Sequence, residues 1–365
     1  MNPRATKLAE GFSQKVLDTL YARSITDFIT NRDHEGEIVG VGSVLNILTL
    51  GELDEKNYSG ANLSADDLTE SNARLEIDQR KSFYFKVKSI DNFDSFIKNP
   101  LPTVEMQRIG KRMKNMDTFV LGKYADVAAG NRVGTDYATG TVTVDVTTGA
   151  VTGSGTTFTA AMVGRGFKAV GHTVWYRVKS YASATSIVIE NDSDDETSAY
   201  DGGAISGGTA YVIEAATKLK VTPANIRQYL GALKIKLDLA EVPDEDRWIV
   251  LPTEIADLLT RGSNIALAVP EAYRDLVQKG YLMDVSGFKV FQSVNLSGNN
   301  TDGYHVIAGS KLWQTFADKQ LEARIEEDLI GNFGAAYKDL FVYGSKVADI
   351  RRKFAAEGFW YAAES

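Results

Sequence analysis

The chain has 365 residues, 44% of them hydrophobic and 24% charged, with a formal net charge of −8. Those proportions belong to an ordinary globular protein, long enough for two domains or for one domain carrying a large insertion. The lack of cysteine excludes disulfides and thiolate chemistry, the scattered His34, His172 and His305 leave little for zinc or imidazole catalysis, and the acidity argues against tight nucleic-acid binding.

The first segment reads as a helix. Asn2-Pro3 supplies a cap and a first-turn proline, and Leu8, Phe12, Val16 and Leu20 recur at four-residue steps on one face. It has no apolar run of signal-peptide length, and no later segment approaches a membrane span. The expectation is a chain made and used in solution, in a cytoplasm.

From Ala73 to Ser89 the side chains alternate with period two. Leu75, Ile77, Gln79, Lys81, Phe83, Phe85 and Val87 fall on one face, and Tyr84 with charged and polar residues on the other. A usual strand holds about 5–6 residues at roughly 3.3 Å each, so this one is unusually long. A second β-branched run, Ile38 to Leu50, precedes it across the polar stretch Gly51–Asn72. Together they predict an extended two-stranded arm. A lone hairpin is marginal in water and exposes its edges. Its partners are therefore expected on other chains, with Leu48, Leu50, Phe83, Tyr84 and Phe85 as inter-subunit contacts.

Pro102 and Glu105 open a long helix predicted to reach about Val127, spanning on the order of 35–40 Å. Met106, Ile109, Met113, Met116 and Val120 form its apolar stripe, interrupted by Gly110 and Gly122. Arg108, Lys111 and Arg112 share one face at i, i+3 and i+4, with Lys114 beside them. That cluster reads either as a contact for a polyanion or an acidic neighbour, or as the solvated back of the helix.

Composition then shifts. Thr141 to Ile213 is rich in Thr, Val, Gly and Ser, with strands predicted at Thr141–Val146, Thr156–Phe158, Gly166–Val170, Thr173–Ser180, Ser186–Glu190 and Ala210–Ile213. Gly149, Gly153, Gly155, Gly171, Gly202-Gly203 and Gly207-Gly208 punctuate them. This predicts a small all-β module interrupting an α+β body.

After Thr217 helices and strands alternate again. A helix runs through Ile226, Tyr229, Leu230, Leu233 and Leu237, followed by a strand at Trp248–Leu251, a helix at Thr253–Thr260, a helix from Pro270 and a strand at Gly287–Val294. Tyr304–Ala308 reads as a strand and Ser310 as a helix start. An alternating run follows at Leu321, Ala323 and Ile325, then a strand at Leu340–Val347.

No motif makes a case for an enzyme. Gly40-Val-Gly42 and the Gly153–Phe158 loop lack the third glycine, the following helix and the Lys-Ser/Thr of phosphate loops. The acidic run Asn191–Glu196 has Glu196 sixth, where a calcium loop needs glycine, and Gly202 twelfth, where it needs glutamate. A solvated hairpin tip accounts for it. Neither a nucleophile elbow nor a carboxylate pair with a supporting base is present.

Four stretches together resemble the major capsid protein of tailed bacteriophages, the HK97-like fold. They are Asn31–Ile47 with Glu35-Gly36-Glu37-Ile38, Leu75–Ser95, Gly287–Leu296, and Asn332-Phe333-Gly334 followed by Leu340–Val347. Val151–Val163 and Trp175–Val178 are similar to small β-modules of phage virion proteins. The resemblance implies an N-terminal arm (1–37), an extended β-hairpin arm (the E-loop) with a spine helix and peripheral domain (38–139), and an inserted all-β domain (140–215). An axial-type α/β domain (216–296) and a C-terminal return (297–365) complete it.

The implied function is a shell protein forming hexamers and pentamers around phage double-stranded DNA, in the virion, after assembly in the bacterial host cytoplasm. The resemblance implies no cofactor, no metal, no membrane and no catalysis. Its partners would be further copies of itself, a portal protein, DNA in weak non-specific contact and, in some particles, a decoration protein. The arm begins too early for a fused scaffolding segment, so a separate scaffolding protein is expected. Lys56 and Asn332 are the candidates for the covalent cross-link some relatives make. The alternative is another virion component, a tail or decoration protein, binding a receptor or glycan through the β-module.

Overall fold

Four-residue apolar runs buried on both faces mark a covered sheet, and Trp248–Leu251 is one, with all four residues buried. In the computed structural model this strand lies inside an eight-stranded mixed sheet, in which Gly298–Asn299 and Arg132–Val133 pair to the side of a six-strand path. The order is Leu219–Val221, Ala355–Ala362, Gly303–Gly309, Trp248–Leu251, Phe288–Gln292 and Tyr281–Val285. The structure describes residues 24–33, 44–50, 70–88, 101–193, 199–261, 281–329 and 332–363. The helices expected over Leu8–Leu20 and from Pro270, and His34, Lys56 and the Gly40-Val-Gly42 loop, lie outside them.

The helix Ile226–Leu239 buries Ile226, Leu230, Leu233 and Leu237, the stripe its periodicity predicted. It and the helix Thr253–Arg261 share one apolar core with the sheet, built around Trp248, Trp313, Trp360, Phe288 and Phe291. The strand Ala355–Ala362 was not foreseen, yet it pairs with Gly303–Gly309 on one side and Leu219–Val221 on the other. Its fully buried Glu357 hides it from a search for apolar alternation.

Residues 135–217 form an eight-stranded sheet with a separate apolar core that includes Val151, Phe158, Phe167, Tyr176, Ile187 and Tyr211. Its order is Ile205–Thr209, Thr141–Val144, Ala150–Ser154, Ser186–Asn191, Tyr176–Ser183, Gly166–Ala169, Tyr211–Thr217 and Thr135–Tyr137. Thr156–Phe158 is not a strand. Phe158 N–H and Thr156 Oγ1 both bond Ala184 O, at 2.9 Å, while the Phe158 ring packs edge-on against Tyr211.

The expected long strand Ala73–Ser89 is two strands. Glu70–Glu76 pairs with Val44–Leu50, as the arm reading predicts. Gln79–Lys88 leaves that hairpin and pairs with Asn332–Lys346 of the same chain, whose other neighbour is Thr315–Leu329. The break falls at Ile77-Asp78, where Gly344 backs onto the chain so closely that any Cβ would strike the Glu76 carbonyl. The partners of the second half are thus intramolecular.

Two further expectations change. The segment from Ser310 is a turn, closed by Trp313 N–H to Ser310 O at 3.1 Å, and the strand Thr315–Leu329 follows. Buried Gln314 reaches Ser345 Oγ at 2.6 Å, which holds this turn against the sheet. The long helix is Leu101–Leu121, about 31 Å, and Gly122–Asp126 tightens to a 3₁₀ turn. Met116 and Val120 are buried, whereas Ile109 is 40% exposed and Arg108 is buried in its place.

Candidate assembly surface

A carboxylate on a sheet face explains why the helix turns arginines inward. Asp339 sits in the middle strand of the three-stranded sheet, opposite Phe83, and is buried. Its Oδ2 accepts from Arg108 Nη1 and Arg112 Nη2, and its Oδ1 accepts from Gln320 Nε2 at 3.1 Å. The Arg112 guanidinium also lies 3.9 Å from the centre of the Phe341 ring. For these two arginines the acidic neighbour is therefore within the chain. Lys111 is exposed.

Further cations stand near this carboxylate. A groove of about 240 Å³ between the helix and strand Gln79–Lys88 is lined by Arg80, Lys81, Arg108, Lys111 and Arg112 as well as Asp339. Its named lining holds five basic side chains and one acidic one, although the chain as a whole is at −8. Asp339 was not foreseen, and its signal is a charged residue directly before the apolar run Leu340–Tyr343.

Along the same strand the alternation holds. Phe83 and Phe85 are half-buried with ring centres 5.7 Å apart, and Tyr84 between them is 56% exposed. Lys338 Nζ stands 5.6 Å from the Tyr84 ring centre. A shallower groove of about 460 Å³, lined by Phe83, Tyr84, Glu322, Arg324 and Lys338, opens on this sheet. Leu48 and Leu50 pair through their backbones with Asn72 and Glu70 in the hairpin, and their side chains lie outside the description. The structure thus brings Phe83, Arg108, Lys111 and Arg112 to one groove and leaves Leu48 and Leu50 in a different sheet.

The remaining motifs have structural partners. His172 is buried, accepts Ala169 N–H at Nδ1 and meets Tyr200 Oη at 2.7 Å through Nε2, and burial, then Lys168, lowers its pKa. Gly155 turns at φ +70°. Asp192, expected at a solvated tip, instead accepts Ala129 N–H and Arg352 Nη2, both at 2.6 Å. No group of metal-ligating side chains occurs among the described residues.

No family model matches the chain, and no curated protein does. Solved structures do. The chain is similar to the capsid structure of the cyanophage P-SCSP1u, with TM-score 0.58 and 15% identity over 98% of this chain and 93% of that one. It is similar to a structure from Mycobacterium phage Che8, with TM-score 0.57 and 17% identity over 96% of each chain. The capsid of Ralstonia phage GP4 matches with TM-score 0.53 and 10% identity over 96% and 94%. Near-complete coverage in both directions makes this a likeness of the whole chain, and the fold is the one found in phage capsid structures.

Proposed function

We propose that the chain is a phage major capsid protein of the HK97-like kind, a tile that associates into the head shell and carries out no catalysis. The observation that carries this reading is the fold, shared over 96–98% of the chain with phage capsid structures. Its strand edges support it. Among the described residues, the 15-residue strand Thr315–Leu329, bridged at its start by Asn31, and the strand Gln79–Lys88 are the outer strands of their sheet, and the hairpin of Val44–Leu50 and Glu70–Glu76 has two strands. Long open edges invite pairing with other chains. Closed rings of copies, hexamers and pentamers, would cover them.

In this reading the hairpin is the E-loop, the helix Leu101–Leu121 is the spine, and 140–215 is an inserted domain. Antiparallel pairing of Thr135 with Thr217 supports the insertion, because the two ends of the module are then adjacent and the host loses little loop entropy. Phe83, Tyr84 and Phe85 are the proposed contacts to a neighbouring copy. The basic groove of Arg108, Lys111 and Arg112 would receive an acidic segment, and Glu52, Asp54, Glu55, Asp66 and Asp67 between the hairpin strands have the matching charge. A portal, a separate scaffolding protein, a decoration protein and packaged DNA are the partners this role requires or admits. Assembly would take place in the host cytoplasm. Lys56 and Asn332 remain the cross-link candidates.

The test is negative-stain imaging and light scattering of the purified chain with and without a scaffolding partner. Shells or capsomers support the proposal. A monodisperse monomer at high concentration, with scaffold present, overturns it.

A further inference from the structure

The apolar cores of the two large sheets share no residue, and charged side chains cross where those sheets meet. Arg165 Nη1 crosses to Glu357 Oε1 at 2.8 Å, and Asp192 crosses to Arg352 at 2.6 Å. Arg132, on a strand beside Glu357, sends Nη1 to Gly164 O. A joint of this kind keeps its geometry only while each buried charge has its partner.

Glu357 is surrounded by cations and donors, although its Oε2 makes no hydrogen bond. His305 Nδ1 lies 2.7 Å from Oε1 and Arg132 Nε 3.1 Å from Oε2, and the Arg165 bond completes the set. These groups outweigh the burial and hold its carboxyl at about 2. Glu214, on strand Tyr211–Thr217, is in the opposite position. It is 3% exposed, its Oε2 accepts Gly130 N–H at 2.7 Å, and its Oε1 has no hydrogen-bond partner.

The cations facing Glu214 are shared with other acceptors. Arg132 Nε is 3.9 Å away and closer to Glu357, while Nη2 bonds Ala125 O at 3.1 Å and Val127 O at 3.0 Å. Lys236 Nζ, from the helix Ile226–Leu239, donates to Gly130 O at 2.7 Å. Glu357 itself is a like charge. Nearby Asp136 and Asp192 accept backbone N–H groups of Ala215 and Ala129.

We propose that Glu214 is a proton-operated catch of this joint. As the neutral acid it is accommodated between the sheets; as the anion it is a second buried negative charge with too few donors, and the sheet of residues 135–217 loosens from the body while both cores stay folded. Burial is the main cause that raises its carboxyl to about 7 from the ordinary 4.5, and Glu357 adds to it. A raised folded-state pKa means the cost is absent below the ordinary carboxyl range, grows as pH rises, and is complete above about 7. The Glu357 carboxyl, held at about 2, stays ionised throughout that window.

Hydrogen–deuterium exchange of the full-length chain tests this, with rates corrected for intrinsic chemistry. Between about pH 6 and about pH 9, protection of peptides covering Gly130, Gly166 and Glu214 should fall about tenfold or more. Peptides covering Ile187 and Ile249, in the two cores, should hold. Glu214→Gln should remove the response, and Glu214→Met serves the same purpose where the amide variant does not fold. His305→Gln should keep the response, which separates Glu214 from the histidine beside Glu357. Equal protection at both pH values in the natural chain, or a response that survives Glu214→Gln or Glu214→Met, overturns the proposal. This inference does not depend on assembly into a shell.

Discussion

Asp117 Oδ1 accepts Thr26 Oγ1 at 2.7 Å, which ties the segment 24–31 to the long helix across 91 positions of sequence. Ser24 Oγ donates to the same oxygen at 2.7 Å, and the backbone N–H groups of Ile25 and Thr26 point at it as well. Burial raises the Asp117 carboxyl, and these four donors oppose that effect. Removing the carboxyl leaves buried donors unpaired. Asp117→Ala should cost about 2–4 kcal/mol and expose residues 24–31 to protease, with Asp117→Asn milder. Unchanged melting and cleavage would refute the anchoring role.

Asp339 makes a related prediction with a built-in control. Asp339→Ala removes the carboxylate that Arg108 and Arg112 share beneath the three-stranded sheet and should destabilise by about 1.5–3 kcal/mol. Replacing Arg108 by Met and Asp339 by Leu together should recover part of that loss, because one of the two arginines that share the carboxylate is removed with it. Chemical denaturation of the single and double variants reads the coupling.

For the proposed shell, Phe83→Asp with Phe85→Asp should block assembly and leave the monomer's melting transition cooperative. Each half-buried ring that a neighbour would cover contributes up to about 1.5–3 kcal/mol per contact. Sedimentation reads the assembly, and circular dichroism the fold. Normal shells from the double variant would remove these rings from the interface.

The β-module should fold by itself. Its core is separate and Thr135 pairs with Thr217, so a piece covering 133–218 should melt cooperatively as a β-rich domain. In the full chain, a short Gly-Ser linker in its place should leave the rest folded. An isolated piece without a cooperative transition would contradict its autonomy.

Glu357 predicts how the joint responds to acid. Its carboxyl is held at about 2, below the ordinary 4.5, so its contribution is fully present above about 4.5 and fades as pH falls toward about 2. Glu357→Gln should therefore lower the melting temperature at neutral pH, and the gap to the natural chain should close in acid. A gap that stays constant with pH would assign the loss to packing alone.

Local periodicity determined a good part of this protein. The stripe of Ile226, Leu230, Leu233 and Leu237, the buried run Trp248–Leu251 and the β-rich stretch after Thr141 are legible because spacing of 3.6 or 2 is a property of neighbouring residues. The groove was half legible. Spacing put Arg108, Lys111 and Arg112 on one face, but Asp339, which draws two of them inward, lies 231 positions from Arg108. The break at Ile77-Asp78 was invisible, since alternation continues through it and the close approach of Gly344 at that point comes from a strand far along the chain. Strand Ala355–Ala362 was hidden because buried Glu357 needs Arg132, Arg165 and His305, three groups far apart in the chain. What tertiary structure alone decided is where the charges go. A buried carboxylate is tolerable only beside its partners, and nothing in its own sequence neighbourhood names them.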